Sequence, residues 1–325
     1  MSASVTVVIV PREQFGRARL SLQSVLDSTV PDCPIIYVDG NSPQDLARDL
    51  AITDRITMIR QDHYLSGNAA RNLALPQVRT KYVLFIDNDV QMWPGSIDAM
   101  VKCADETGAW VVGSLYCIGA PGSRKVHSAG GEVRIVEKQG RRHIYERQLH
   151  CGERADEVRA MVGRSASDQV EFHCMMVRAA AFERFGPLDE GLRAAFDHVD
   201  LCLAVRNANH PIYVETAATV TYLPPPPIQW SDLPFFLVRW SEAWYQSSLH
   251  HFCEKWQLDP DDEVFRVHEN YRLDHRARIL TQSSRMNRII EGSVGKILEK
   301  TLVKNLERRH HPGKIAQSHA PLAPN

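Results

Sequence analysis

The segment from Lys81 to Gly95 reads KYVLFIDNDVQMWPG. Every residue from Tyr82 to Ile86 is apolar or aromatic, and the chain then turns acidic at Asp87 and Asp89. Two carboxylates one residue apart, in the loop after a buried strand, suit a hard divalent cation such as Mg2+ or Mn2+, which prefers oxygen ligands. A cation there could bind a diphosphate and neutralise charge on a departing phosphate. The plainer alternative is that Asp87 caps the next turn and Asp89 is merely solvated. The position favours chemistry, because ligands of open α/β sheets bind outside the carboxyl ends of the strands. Asp39 closes the run PIIYVD and stands at a second such strand end, unless it only forms a turn.

Elements that would position these carboxylates alternate along the first half of the chain. VTVVIV, PIIYVD, ITMIR, KYVLFID and AWVVGSLY read as strands; ARLSLQSVLDS, SGNAARNLAL and SIDAMVKCADETG read as helices. Continuous apolar strands separated by helices predict an α/β fold with a largely parallel sheet covered on both faces. Asp39, Asp87 and Asp89 then share one edge of the sheet, side by side if their strands are neighbours. From Cys117 to Asp168 the pattern is irregular and reads as hairpins and loops. QVEFHCMMVRAAAFERFGPLDEGL predicts a strand, a short helix and a turn, and period two places Glu171 and His173 on one side of that strand. VDLCLAVRNANH predicts a helix with Asp197 as its N-cap, and PIYVETAATVTY two short strands. The prolines from 224 to 227 forbid regular structure and mark a boundary.

Composition narrows the function classes. The 325 residues carry a formal net charge of -1, so no global pull toward nucleic acid is present. Seven scattered cysteines without a C-x-x-C pair read as reduced thiols in a cytoplasmic protein. The start, MSASVTVVIVPREQ, lacks the basic lead of a signal peptide, and no apolar run reaches the roughly 18 residues of a spanning helix. Asp39 could be the ribose-binding acid of a dinucleotide fold, but PREQFGRARL after the first strand has no G-x-G-x-x-G.

Five segments in order resemble the inverting, GT-A-fold glycosyltransferases of family 2: VTVVIVP, IIYVDGNSPQD, SGNAARNLAL, KYVLFIDNDV, and FGPLDEGLRAAFDHVDLCLAVRNANHPIYV. The resemblance runs from about Val5 to Tyr222. It implies a Rossmann-like, mixed but mostly parallel sheet flanked by helices. With the proline boundary and the loss of periodicity near the end, the chain divides into a GT-A domain at 1–227 (donor half about 1–116, acceptor half about 117–227), a helical aromatic-rich extension at 228–311 and a disordered tail at 312–325. The resemblance implies an enzyme that moves a sugar from a nucleotide-diphospho-sugar, UDP-linked by expectation, to a glycan, a lipid-linked or a small-molecule acceptor, with Mg2+ or Mn2+. A non-catalytic nucleotide-sugar- or glycan-binding subunit of the same fold is the alternative. Carried over by position, Pro11, Asp39, Arg71, Asp87 and Asn88 would bind donor, and Asp89, with Asp87, would bind metal. Asn72 would hold its helix against a loop. Glu171, His173, Asp189 and Glu190 would lie on the acceptor side. Arg71 could instead make a surface ion pair, His173 could be a core histidine, and Asp189 or Glu190 could cap a turn.

Three departures stand out. The family's Glu-Asp is Asp197-His198 here, so the base would be His198, whose ordinary pKa near ~6.5 suits neutral pH, or Asp197, which could also orient it; the alternative to both is that Asp197 only caps the helix and His198 is an exposed first-turn residue. ATVTYLPPPP carries no histidine after the last strand, which leaves a metal to Asp89, diphosphate and water, or to a histidine from elsewhere. PREQFG replaces P-x-Y-N, so an aromatic contact to the base is missing or otherwise supplied.

Beyond the prolines, Trp230, Phe235, Phe236, Trp240, Trp244 and Phe252 recur at roughly helical spacing. Such a stripe packs back on the domain or forms a homo-oligomer interface; the sharper alternatives are an acceptor platform or a membrane-surface helix. From Arg285 to Lys314 basic residues outnumber acidic ones, which reads as a solvated face, with peripheral contact at the inner membrane face as the sharper alternative.

Overall fold

The computed structural model describes residues 4–12, 14–224, 228–281 and 292–309. Its strands are β1 (Val5–Val10), β2 (Ile35–Gly40), β3 (Thr57–Gln61), β4 (Tyr82–Asp87), β5 (Val90–Met92), β6 (Val111–Ile118), β7 (Val126–Ser128), β8 (Gly131–Lys138), β9 (Arg141–Gln148), β10 (Arg164–Ala166), β11 (Cys174–Arg178) and β12 (Ile212–Tyr222). Its α-helices are α1 (Ala18–Asp27), α2 (Gln44–Ala51), α3 (Gly67–Ala74), α4 (Ser96–Thr107), α5 (Ala155–Val162), α6 (Ala180–Phe185), α7 (Asp197–Asn207), α8 (Leu233–Arg239), α9 (Glu242–Trp256), α10 (Glu263–Thr281) and α11 (Ser293–Arg309).

The main sheet runs β10-β12-β6-β11-β4-β1-β2-β3, with β5 on β12 and β7 on β6. Strands β1, β2, β3 and β4 are mutually parallel, and β12 is parallel to β6. Strand β11 lies antiparallel between β4 and β6, so β6 and β12 point the same way as β4. β1 shows why the apolar runs are continuous. Val5, Val7 and Ile9 join one core layer, while Val8 and Val10 join the layer on the opposite face. Both faces are covered, and each such side chain contributes roughly 1.5–3 kcal/mol by leaving water. Asp39 and Asp87 do share an edge, but β1 separates their strands.

Three sequence expectations change. The segment before β11 is a turn, not a strand: β11 begins at Cys174, so Glu171 and His173 precede it and period two does not apply to them. Residues 212–222 form one strand rather than two, with a register shift between Glu215 and Thr219. Helix α7 begins at Asp197 itself, and the capping position belongs to Phe196. Phe196 is buried with φ +65, a left-handed conformation that costs a non-glycine residue roughly 1–3 kcal/mol. Its ring stacks on Phe252 and meets Phe265 edge-on, so packing against α9 and α10 holds the backbone there.

The irregular region 117–168 resolves into β7, the β8–β9 hairpin, α5 and β10. The hairpin gives Val133 and Ile144 to a cluster with Phe196 and Val199 near α7 and Tyr245, Phe252 and Phe265 from the extension. The aromatic stripe packs inward at Phe235, Phe236, Trp244 and Phe252, with Phe235 stacked on Tyr64, while Trp230 is exposed. The prolines at 225–227, part of the basic stretch and the tail lie outside the described residues. Among the described residues no helix is long and apolar enough to cross a membrane, and the cysteines are free thiols.

Candidate active site

Strand β4 delivers its acidic end into the protein rather than into water: Asp87, Asn88 and Asp89 are all at most 2% exposed. Asp87 is therefore neither a solvated residue nor a simple turn cap. Its Oδ2 lies 3.1 Å from Arg12 Nε and 3.1 Å from His173 Nδ1, and its Oδ1 lies 3.6 Å from Arg71 Nη2. Burial alone would push the Asp87 carboxyl up. The Arg12 charge, the His173 hydrogen bond and Arg71 together outweigh it and hold the group below its ordinary value. Asn88 is used for construction: its Oδ1 accepts from the Arg12 backbone N–H at 2.9 Å, which ties the end of β4 to the loop after β1. The Leu223 N–H donates to the Asp89 carbonyl, so the segment after β12 closes over the same edge.

His173 reaches this edge because β11 is antiparallel to its neighbours. A parallel strand brings its carboxyl end to the binding edge; an antiparallel one brings the residues just before its start. His127, the middle residue of β7, comes to the same edge on a strand that runs antiparallel to the far end of β6. Asp87, Asp89 and His173 each place one ligand atom within 4.8 Å of the others. Two carboxylates and an imidazole are a donor set that a divalent cation of the Mn2+ or Mg2+ type can use, so the residues present fit the metal that the sequence anticipated. The turn before β11 thus brings a histidine beside the two aspartates, where residues 218–227, at and after the end of β12, carry none.

Donor-half residues lie along the same edge. Asp39 is 1% exposed; its Oδ1 accepts from the Ser42 N–H at 3.0 Å, and its Oδ2 has no hydrogen-bond partner, with Arg60 Nε at 3.6 Å. This oxygen is thus ion-paired with Arg60 but accepts no hydrogen bond, which leaves it acceptor capacity for a ligand. Pro11 is buried, and its Cγ lies 3.2 Å from where a Cβ on Gly40 would stand, so Gly40 lets the ends of β1 and β2 approach.

Arg71 is not at the surface. It is 1% exposed, its Nη1 donates to Asp197 Oδ2 at 2.8 Å and to Asn68 Oδ1 at 3.0 Å, and its guanidinium covers the Phe172 ring at 3.6 Å. It therefore bridges the acidic end of β4 and the start of α7. Helix α3 is set by the Ser66 N-cap, and Asn72 fixes it by donating to the Leu188 carbonyl and Glu190 Oε1. A Cβ on Gly67 would come within 2.9 Å of Arg71 Nη1. Alanine favours helices by up to about 1 kcal/mol, but at the first helical position little of that applies. Displacing a buried, doubly bonded guanidinium costs about 1–3 kcal/mol, as overpacking does. Gly67→Ala is thus expected to lower the melting temperature; a rise would show that Arg71 yields freely.

Asp197 and His198 stand at the first turn of α7, half-buried. Asp197 Oδ1 lies 3.6 Å from His198 Nδ1, and His198 Nε2 is a buried atom with no hydrogen-bond partner, 4.0 Å from Glu146 Oε1. Burial would push Asp197 up, but His198 and Arg71 hold it well below the ordinary carboxylate range. Burial would likewise push His198 down, but Asp197, then Glu171 and Glu146, raise its affinity for a proton.

Of the acceptor-side residues, Glu171 and His173 come to the site through the turn. Asp189 and Glu190 are engaged elsewhere: Asp189 accepts from His251 Nε2 at 2.9 Å and Lys255 Nζ at 2.8 Å on α9, and Glu190 accepts from Asn72. Sequence reasoning missed Arg12, His127 and Glu146. Arg12 follows Pro11 directly and was within reach; nothing in the spacing of His127 or Glu146 relates them to Asp87 or His198.

Residues 6–166 match the family model described as glycosyl transferase family 2. Among solved structures, the chain is similar to GalNAc-T7 crystallised with UDP, GalNAc and Mn2+, at 12% identity and a TM-score of 0.54. The alignment covers 83% of this chain and 54% of that one, so the chain spans about half the length of that relative. It is also similar to S. aureus TarS 1-349, free and in complex with UDP, at 15% identity and a TM-score of 0.47, covering 88% of this chain and 74% of that one. No curated protein matches the chain. With that family match over the donor strands and this order of strands in its mixed sheet, the chain is a member of glycosyl transferase family 2 and has the GT-A fold.

Proposed function

We propose that this protein transfers a sugar, with inversion, from a UDP-linked or similar nucleotide-diphospho-sugar to a hydroxyl of a glycan, lipid-linked or small-molecule acceptor. The observation that carries this reading is the convergence on one sheet edge of the β4 carboxylates with the Asp197–His198 pair, joined by Arg71. The UDP and Mn2+ bound by GalNAc-T7, which shares the fold, support the choice of donor and metal. Asp39 Oδ2 offers a buried acceptor to a ribose or base, with Pro11, Arg71 and Asn88 shaping that half. Asp89, Asp87 and His173 would hold the metal, which when bound supplies positive charge for the leaving diphosphate.

His198 is the base in this reading, and Asp197 orients it. The acceptor proton passes to His198 Nε2, the acceptor oxygen bonds to the anomeric carbon, and the bond to the diphosphate breaks with its electron pair leaving on the nucleotide. Asp197 is the weaker candidate because Arg71 already occupies its Oδ2 and holds its proton affinity down. Glu171 borders the acceptor side, and Asp189 and Glu190 act there by fixing the loop before α7. The protein is read as cytoplasmic, with peripheral membrane contact and self-association left to the extension.

Release of nucleotide from a panel of UDP-sugars in the presence of Mn2+ tests the activity, and the matching donor should raise the melting temperature. Donor binding without turnover on any acceptor would favour the non-catalytic reading. The pH profile tests the base. A base must be unprotonated, and the partners of His198 raise its pKa, so kcat/KM should rise through a limb above the ordinary imidazole value near ~6.5. His198→Asp should stay active with that limb moved below about pH 5. A limb unmoved in His198→Asp removes His198 from the role.

A further inference from the structure

A second group of metal-binding side chains lies beside the first, and the transfer reaction does not require it. His127 of β7, Glu171 and His173 each place one ligand atom within 4.8 Å of the others, all three partly buried. We propose that these three residues form a second site, sharing His173 with the first, for a transition-metal ion of the Zn2+ class, with two imidazoles and one carboxylate as protein ligands.

The spacing of His127 and Glu171 also matches that of two ligands on one ion. His127 Nε2 lies 3.4 Å from Glu171 Oε2. Charge-assisted hydrogen bonds close to about 2.7–2.9 Å. The edge of a tetrahedron with metal–ligand bonds of about 2.0–2.1 Å is roughly 3.3–3.4 Å, as two ligands of one zinc ion require. Glu171 is held for that purpose by neutral donors: Gln148 Nε2 donates to Oε1 at 2.7 Å and Ser128 Oγ to Oε2 at 2.9 Å. Carboxylate ligands are commonly oriented by such outer hydrogen bonds. The backbone beneath is fixed as well. Tyr116 Oη donates to the carbonyls of Glu171, at 2.7 Å, and Cys174, at 3.0 Å, pinning both ends of the turn that carries His173. The Tyr222 ring stacks on His173 at 4.8 Å and sets its plane.

The donor set chooses the metal. Asp87 and Asp89 offer oxygen, which suits Mg2+ or Mn2+, whereas two imidazoles with one carboxylate suit zinc, cobalt or nickel. A neutral imidazole has one free nitrogen lone pair, so His173 serves one centre at a time, and an ion held with His127 and Glu171 leaves the other centre to Asp87 and Asp89.

Cobalt is the probe. The full-length protein, stripped of metal by a chelator, is titrated with Co2+ and followed in the visible range. The expected result is the intense absorption of four-coordinate cobalt at one equivalent, kept in Asp89→Asn and lost in His127→Ala. Zn2+ should displace the signal, and Mg2+ in large excess should not. His127→Gln, which keeps a polar contact to Glu171, guards against misfolding, and equal melting temperatures of the metal-free proteins confirm it. Weak six-coordinate bands alone, bands that survive in both His127 variants, or bands lost in Asp89→Asn would each overturn the assignment. The readout is spectroscopic, so failure of the transferase reading leaves the outcome interpretable.

Discussion

Asp89→Ala is expected to lose sugar transfer, by at least about a hundredfold in turnover, since charge stabilisation by a bound cation is worth several kcal/mol and each ~1.4 kcal/mol is tenfold. Asp89→Asn should behave alike, because the neutral amide keeps the shape and loses the charge. The assay is nucleotide release over a Mn2+ series. A genuine loss of the metal ligand also raises the Mn2+ concentration needed for any residual rate, which a misplaced loop would not do selectively. Full activity of Asp89→Ala with metal present would end the assignment. Asp87 is a poorer test of the same idea. Its carboxylate lies between Arg12, His173 and Arg71, so removing it leaves cations facing one another and confounds chemistry with folding.

The second large effect concerns stability. Arg71 is buried between Asp87 and Asp197, and taking away one member of a buried ion pair leaves an uncompensated charge, at a cost of about 3–5 kcal/mol. Arg71→Met keeps the apolar stem against Phe172 and removes the charge, so the loss reads mainly the electrostatics. Chemical denaturation should show it as a lower midpoint. Adding Asp197→Asn removes the stranded carboxylate and should recover part of the loss, while Arg12 still pairs with Asp87 and His173 stays in hydrogen-bond contact with it. Two losses that simply add, or a single variant within 1 kcal/mol of the parent, would mean that Arg71 does not bridge the two acidic groups.

Much of the donor side was legible in the sequence because it is local. Val5–Val10, Ile35–Gly40 and Tyr82–Asp87 are apolar runs with an abrupt polar end, and parallel strands put such ends on one edge. The acceptor side resisted because its residues meet through direction changes. His173 looked like a strand residue facing a core, and only the antiparallel course of β11 turns it into a neighbour of Asp87. Glu146 sits in a hairpin strand with no apolar alternation at that point, yet it receives His268 from α10 at 2.9 Å and faces His198. Asp197 resembled an N-cap, the commonest use of an aspartate before a helix. The strained Phe196 took that position, and no residue-type rule anticipates a buried phenylalanine there.

The antiparallel insertion of β11 beside β4 has one more consequence, for length rather than for residue type. The side chain that faces Asp87 is counted backward from the start of a strand, so its offset from Cys174, and not the number of residues after β10, is a coordinate of the site. A residue added or deleted between β10 and Phe172 would leave His173 beside Asp87, whereas one inserted between His173 and Cys174 would carry it away while preserving every acid, histidine and glycine. Relatives of this chain are therefore better aligned from the start of β11 backward than from β10 forward.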